Sequence, residues 1–209
     1  MHRWIMAVAV VVTTWSATVR AEDGDGFEPL FNGKDMSGWM AVGNGSAWSV
    51  ENGLLTCRGG RHGWMCTEKM YDNFVLRLEH RISKGGNSGV FVRIPQRFGR
   101  SSRLGFETQI LDDHGQPPTK NSTGSLYDMV APSKNMSQPA GEWNTYEIYC
   151  DGPTIRIVHN GETVVDVNAD DVPEVRNRFR RGYIGVQNHG RFVEFRNIRI
   201  KVLPSAFGD

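Results

Sequence analysis

Asn87-Ser88-Gly89-Val90-Phe91-Val92-Arg93 and, further on, Gly105-Phe106-Glu107-Thr108-Gln109-Ile110-Leu111-Asp112-Asp113 both run with the two-residue period of a β-strand. Successive strand side chains point to opposite faces, so Phe91 and Arg93 are expected on one face and Val90, Val92 and Ile94 on the other. By the same rule Glu107, Gln109 and Leu111 share a face opposite Phe106, Thr108 and Ile110. A face carrying an arginine, a carboxylate and an amide makes a poor core. It is either an ordinary wet face or a groove that grips a polyhydroxylated ligand.

Working outward, strand signals recur and helical periodicity is scarce. Ala47–Val50 and Leu54–Cys57 flank Glu51-Asn52-Gly53, and Ile155–His159 and Thr163–Val167 flank Asn160-Gly161. Asn-Gly between alternating runs predicts a hairpin, because a type I′ turn needs two positive φ angles. Further strands are expected at Phe74–His80, Gly89–Ile94, Phe106–Leu111, Trp143–Cys150, Tyr183–Gln187 and Phe192–Leu203. Many short strands separated by Gly, Pro, Asn and Ser predict a sandwich or jelly roll. Its core should draw on Phe74, Leu76, Leu78, Val90, Val92, Phe106, Ile110, Ile148, Ile155, Ile157, Ile184, Val186, Val193, Phe195, Ile198 and Ile200. The polar loops Gln96–Ser102 (with Arg97, Arg100 and Arg103 in its vicinity), Gln116–Ser122 and Ser133–Ala140 are long enough to build the rim of a site.

The first residues follow a different grammar. Arg3, the apolar run Ile5–Val12 and the small residues Val19 and Ala21 read as a secretory signal peptide over Met1–Ala21. The apolar run is too short to span a bilayer. A short linker at 22–26 and one domain at 27–205 would follow, giving a secreted or periplasmic protein with no membrane span after cleavage. Arg3 and Arg20 leave with the peptide, taking the formal charge from +1 to −1. That balance carries no clustered basic stripe and argues against nucleic acid as a partner. Among the three cysteines, Cys57 and Cys66 could oxidise across a hairpin in an exported protein, or all three could be buried thiols.

Several motifs in order resemble the 3-keto-disaccharide hydrolase domain family. They are Leu30-Phe31-Asn32-Gly33-Lys34-Asp35 with Gly38-Trp39, Trp48, Gly53-Leu54-Leu55, Tyr71-Asp72-Asn73-Phe74, the two opening strands, and Thr123-Gly124-Ser125-Leu126-Tyr127. Gly141-Glu142-Trp143-Asn144, Gly182-Tyr183-Ile184-Gly185-Val186-Gln187, His189-Gly190 and Val193-Glu194-Phe195-Arg196-Asn197-Ile198 complete the set. The resemblance implies an all-β, concanavalin A / laminin G-like β-sandwich (jelly roll). It also implies cleavage of glycosides already oxidised at C3, by hydrolysis or by lyase and hydratase steps through a 2-hydroxy-glucal.

A C3 ketone makes the C2 proton acidic, so one base, a donor to the enolate oxygen and an acid at the leaving oxygen suffice. Glu107 is the expected base, since apolar neighbours could raise its carboxyl from roughly 4.3 toward neutrality; the alternative is an exposed strand glutamate. Arg93 is expected either to pair with the developing enediolate or to form a structural cross-strand pair with Glu107. His189, in phase with Gln187 and next to Gly190, should sit at a strand end, where an imidazole suits acid or base work or a structural role.

Asn87, Gln109, Tyr127 and Gln187 are expected to bind sugar hydroxyls. His62 and Trp64 could form a stacking rim, although a tryptophan there could equally be core. The one cofactor the residues suggest is a divalent cation held by Asp112, Asp113 and His114, with a solvated turn as the alternative. Two other readings stay open. A conventional β-glucanase would show Glu-x-Asp-x-x-Glu, whereas Glu107-x-Gln109-x-x-Asp112 lacks the central carboxylate. A non-catalytic, lectin-like carbohydrate-binding module would need the same aromatics and amides without a tuned base.

Overall fold

The computed structural model describes residues 25–98 and 101–205. The predicted signal peptide, and residues 22–24 of the predicted linker, lie outside the described residues. The strands are β1 (Glu28–Pro29), β2 (Trp39–Gly43), β3 (Trp48–Glu51), β4 (Leu54–Cys57), β5 (Gly63–Tyr71), β6 (Phe74–Ile82) and β7 (Asn87–Ile94). They continue as β8 (Phe106–Leu111), β9 (Asn144–Asp151), β10 (Thr154–His159), β11 (Glu162–Asn168), β12 (Gly182–Asn188) and β13 (Val193–Val202). Two antiparallel sheets result. One runs β11-β10-β9-β6-β13-β4-β3, with β1 also on β13, and the other runs β2-β5-β12-β7-β8.

The inward residues of both sheets meet in one cluster that contains every apolar residue expected in the core, from Phe74 to Ile200. Burying each such side chain stabilises the fold by roughly 1.5–3 kcal/mol relative to leaving it exposed. The two Asn-Gly hairpins form as predicted, with φ of 51° and 82° at Asn52 and Gly53 and 49° and 85° at Asn160 and Gly161. Strands β2 and β5 carry no clean alternation in sequence. The reason is that β5 is covered on both faces, Met65 entering the main core and Trp64 and Cys66 a second cluster with Phe91 and Ile94.

The cysteines do not pair. Cys57 lies on β4 and Cys66 on β5, strands of different sheets rather than two arms of a hairpin. All three are buried free thiols.

Arg93 departs from the expected alternation. Tyr183 pairs with Ile94 but Gly185 with Phe91, so Ile184 faces two residues of β7 and the ladder bulges there. Arg93 takes a φ of +55° at that bulge. Its side chain is fully buried and donates to Asp72 O (2.8 Å), Gly152 O (2.7 Å) and Asn73 Oδ1 (3.1 Å). It therefore ties β7 to the turn between β5 and β6, where the chain passes from one sheet to the other, and to the β9–β10 turn of the other sheet. It neither faces the groove nor pairs with Glu107.

Candidate functional site

The outer face of the five-stranded sheet floors a cleft of about 560 Å³. Register brings its residues together from distant parts of the chain. Gly185 pairs with Phe91, and Phe91 with Glu107, in one row across the sheet. Gln187 pairs with Trp64, and Gly89 with Gln109, in the next. One residue past the Val186↔Val90 pair, Gln187 stands across from Gly89.

Glu107 is only 3 % exposed. Loss of water pushes its carboxyl up to about 8, with a hydrogen bond from the Gln187 side chain pulling the other way. Its carboxylate leans over Gly89, where a Cβ would fall 2.3 Å from Oε1. Glycine at that position is what leaves room for the acid between Gln187 and Gln109. Glu107 is the only carboxylate lining the cleft among the described residues.

The aromatic part of the floor is Trp64, edge-on to Phe91 at 5.5 Å between centroids and laid over Gly185. At one rim His62 and His189 face each other, their ring centroids 4.6 Å apart. Asn188 fixes this pair. Its Nδ2 donates to Gly59 O (3.3 Å) and Arg61 O (2.9 Å), and its Oδ1 accepts from Gly190 N (2.9 Å). The loop before β5 is thereby clamped to the loop after β12.

On the opposite side, the segment after β8 folds back along the edge of that strand. Tyr127 N donates to Glu107 O (2.9 Å) and Gln109 N to Ser125 O (3.1 Å), which hangs Tyr127 over the acid and covers a strand edge. Arg97 stacks on Tyr183 at 4.2 Å and donates to Glu68 O, and Phe98 beside it is largely exposed.

Of the expected site residues, Glu107, His189, Asn87, Gln109, Tyr127, Gln187, Trp64 and His62 all line this cleft. Arg93 does not, for the reason given above. Asp112, Asp113 and His114 do not line it either, and their donors are committed elsewhere. Asp112 Oδ2 accepts from Gly85 N (2.7 Å). Asp113 accepts from Thr123 N, Thr123 Oγ1 and Ser137 Oγ, while His114 Nδ1 donates to Ser137 O. The trio braces the chain beyond β8 rather than converging on a cation, and no group of three metal-ligating residues forms among the described residues. Sequence reasoning overlooked Asn188, Phe91, Val42, Gly43 and Gly63, and placed Arg97 and Phe98 only in a rim loop. Phe91 carried a signal, since it was in phase with the polar face.

Residues 26–201 match the model of the 3-keto-alpha-glucoside-1,2-lyase-like domain. The chain belongs to that family. A 3-keto-disaccharide hydrolase of Bacteroides thetaiotaomicron is 30% identical, over 87% of this chain and 80% of its own length. Among solved structures, a Parabacteroides distasonis protein provisionally named a glycosyl hydrolase superposes with a TM-score of 0.76 at 26% identity. That superposition covers 86% of this chain and 94% of the other. A carbohydrate-binding module from Bacillus subtilis shares the fold alone, with a TM-score of 0.59 at 14% identity, covering 79% and 96% of the two chains. The 3-keto-alpha-glucoside-1,2-lyase-like domain of this chain is thus an all-β, jelly-roll sandwich of the concanavalin A / laminin G type.

Proposed function

We propose that this protein is a carbohydrate-active enzyme that cleaves 3-keto-glycosides by removing the C2 proton beside the C3 ketone. One observation carries the reading: among the described residues the cleft holds a single carboxylate, and burial keeps that carboxyl protonated up to about 8. Cleavage of an unoxidised glycoside ordinarily uses two carboxyl groups, one on each side of the scissile bond. Elimination next to a ketone needs one base of near-neutral affinity.

In its ionised form Glu107 takes the C2 proton. Electrons from the C2–H bond form the enolate, whose C3 oxygen meets donors from Asn87 and Gln109. The Gln109 carbonyl already accepts from Ile110 N (3.3 Å), which leaves its NH2 group to donate. Collapse of the enolate breaks the C1–O bond, and His189 protonates the departing oxygen, giving the free alcohol and a 2-hydroxy-glucal that keeps its C3 ketone. Addition of water across C1 and C2, with proton transfers reversed, completes net hydrolysis. Trp64 and His62 supply ring surface for the sugar, and Tyr127 a hydroxyl contact. The N-terminal grammar of the chain supports export to the periplasm or medium.

The test is to incubate the protein with a 3-keto-glucoside and, separately, with the unoxidised glucoside. Turnover of the keto compound alone, abolished by Glu107→Gln, is the expected result. Turnover of the plain glucoside would make the protein a conventional glucanase, and binding without turnover would make it a lectin-like module; either outcome removes the proposed route.

A further inference from the structure

The Gln187 side chain is used in an incomplete way. Its amide hydrogen bonds to the Glu107 carboxyl, yet its Oε1 is shut off from solvent and accepts no hydrogen bond among the described residues. A buried acceptor left without a donor costs free energy, so such a group at a ligand-binding surface points to a donor brought by the ligand. The backbone already holds the residue in place, since Ser88 Oγ donates to Gln187 O (2.7 Å) and Gln187 pairs with Trp64 across the ladder. Gly89 lies beneath the Glu107 carboxylate and across from Gln187, so the acid and the amide converge over one bare patch of backbone.

The position of that acceptor relative to the base matters chemically. A carboxylate that removes a proton from a sugar carbon also lies beside the hydroxyl on that same carbon. A group bonded to the carboxylate and presenting a spare carbonyl is placed to accept from that hydroxyl. The geometry points to Gln187 as the residue that reads the hydroxyl on the carbon deprotonated by Glu107, restricting the substrates to glycosides with a free 2-hydroxyl and excluding 2-deoxy sugars. This rests on the reading of Glu107 as the base at C2. The same contact holds C2–H aimed at the carboxylate.

The experiment measures kcat/KM for a 3-keto-glucoside and its 2-deoxy counterpart with the wild-type protein and with Gln187→Met, which keeps the length and removes the carbonyl. Hydroxide-promoted elimination of both compounds in buffer supplies their intrinsic reactivity ratio. The wild-type protein should favour the hydroxylated compound over that reference on the order of 10²-fold, because a site built to bond a hydroxyl rejects the analogue lacking it. Gln187→Met, which also removes the hydrogen bond to Glu107, should lose activity on both compounds, but far more on the hydroxylated one, and return the ratio to the reference. A wild-type ratio equal to the reference, or a preference retained by Gln187→Met, would overturn the assignment while leaving Glu107 as base. Wild-type turnover of neither compound would instead sink the base reading, and this inference with it. The wild-type comparison needs no variant, so it decides the matter even if Gln187→Met fails to fold.

Discussion

Replacing Gly89 with alanine puts one methyl group under the candidate base. Its Cβ would fall 2.3 Å from Glu107 Oε1, 2.9 Å from Cγ and 3.0 Å from Cδ. Ordinary contact begins near 3.4 Å, so the carboxylate must retreat by about 1 Å. The Gly89 backbone has no positive φ, so alanine fits the strand itself. Removing glycine from a strand interior stabilises by roughly 0.5–1 kcal/mol, which offsets part of the cost of the displaced side chain. Stability should thus change little, within a few degrees of Tm for a protein of this size. Catalysis should suffer far more, since a displacement of about 1 Å can cost on the order of 10²-fold. The assay is kcat/KM for a 3-keto-glucoside beside a thermal melt of the same preparation. Wild-type kcat/KM in a folded Gly89→Ala protein would refute the claim that Glu107 works from its place over Gly89. A fall of more than ten degrees in Tm would refute the packing argument instead.

Burial raises the Glu107 carboxyl to about 8, so kcat/KM should climb with pH through that value, and a profile flat from pH 6 to 9 would count against the base role. The same shift carries a stability sign. The folded state holds a proton that the unfolded chain releases near 4.5, so stability declines as pH rises from 4.5 to 8. Glu107→Gln should remove that slope and stabilise the protein above pH 8 by roughly 3–5 kcal/mol in urea titrations, taking 1.36 kcal/mol per pKa unit. His159, buried among Asn144, His80 and Tyr146, is held down to about 4 by desolvation, and His80 is pushed well below 6.5 by the same cause. Both are neutral when folded while the unfolded chain binds protons below 6.5, so stability is lost as pH falls from 6.5 to 4. His159 alone accounts for about 3 kcal/mol; in the Glu107→Gln protein, which lacks the opposing slope, a denaturation midpoint unchanged between pH 7 and 4.5 would refute this. Arg93→Met should destabilise by roughly 2–5 kcal/mol, because it removes three hydrogen bonds from a fully buried side chain, with KM moved little in what remains folded; lost activity at an unchanged Tm would return Arg93 to the site. Protein recovered outside the cytoplasm should begin at Glu22, which N-terminal sequencing would check.

Much of the fold was legible because its signals are local. Alternation marked the strands that have one wet face, and Asn52-Gly53 and Asn160-Gly161 marked their turns, since few other residue pairs tolerate two positive φ angles. Glu107, Gln109 and Gln187 were legible for the same reason: polar residues in phase on strands otherwise apolar must share a face. Strand β5 was not legible, because Trp64 and Cys66 on one side and Met65 on the other are all buried. Arg93 misled because a bulge is set by how two strands pair, and nothing within β7 announces it.

The periodicities of this chain, by themselves, dictated a two-sheet architecture, its core and a polar face carrying one acid, because each depends on neighbours a few residues apart. Only the tertiary structure decided which polar residues belong to the cleft. Asn188 meets Gly59 and Arg61 from 129 and 127 residues away, and Gln187 meets Glu107 from a different strand far along the chain. It also decided that Asp113 braces a loop and that the Glu107 carboxyl loses its water. Contacts and burial of that kind arise from how strands register and loops close, and no short stretch of sequence encodes them.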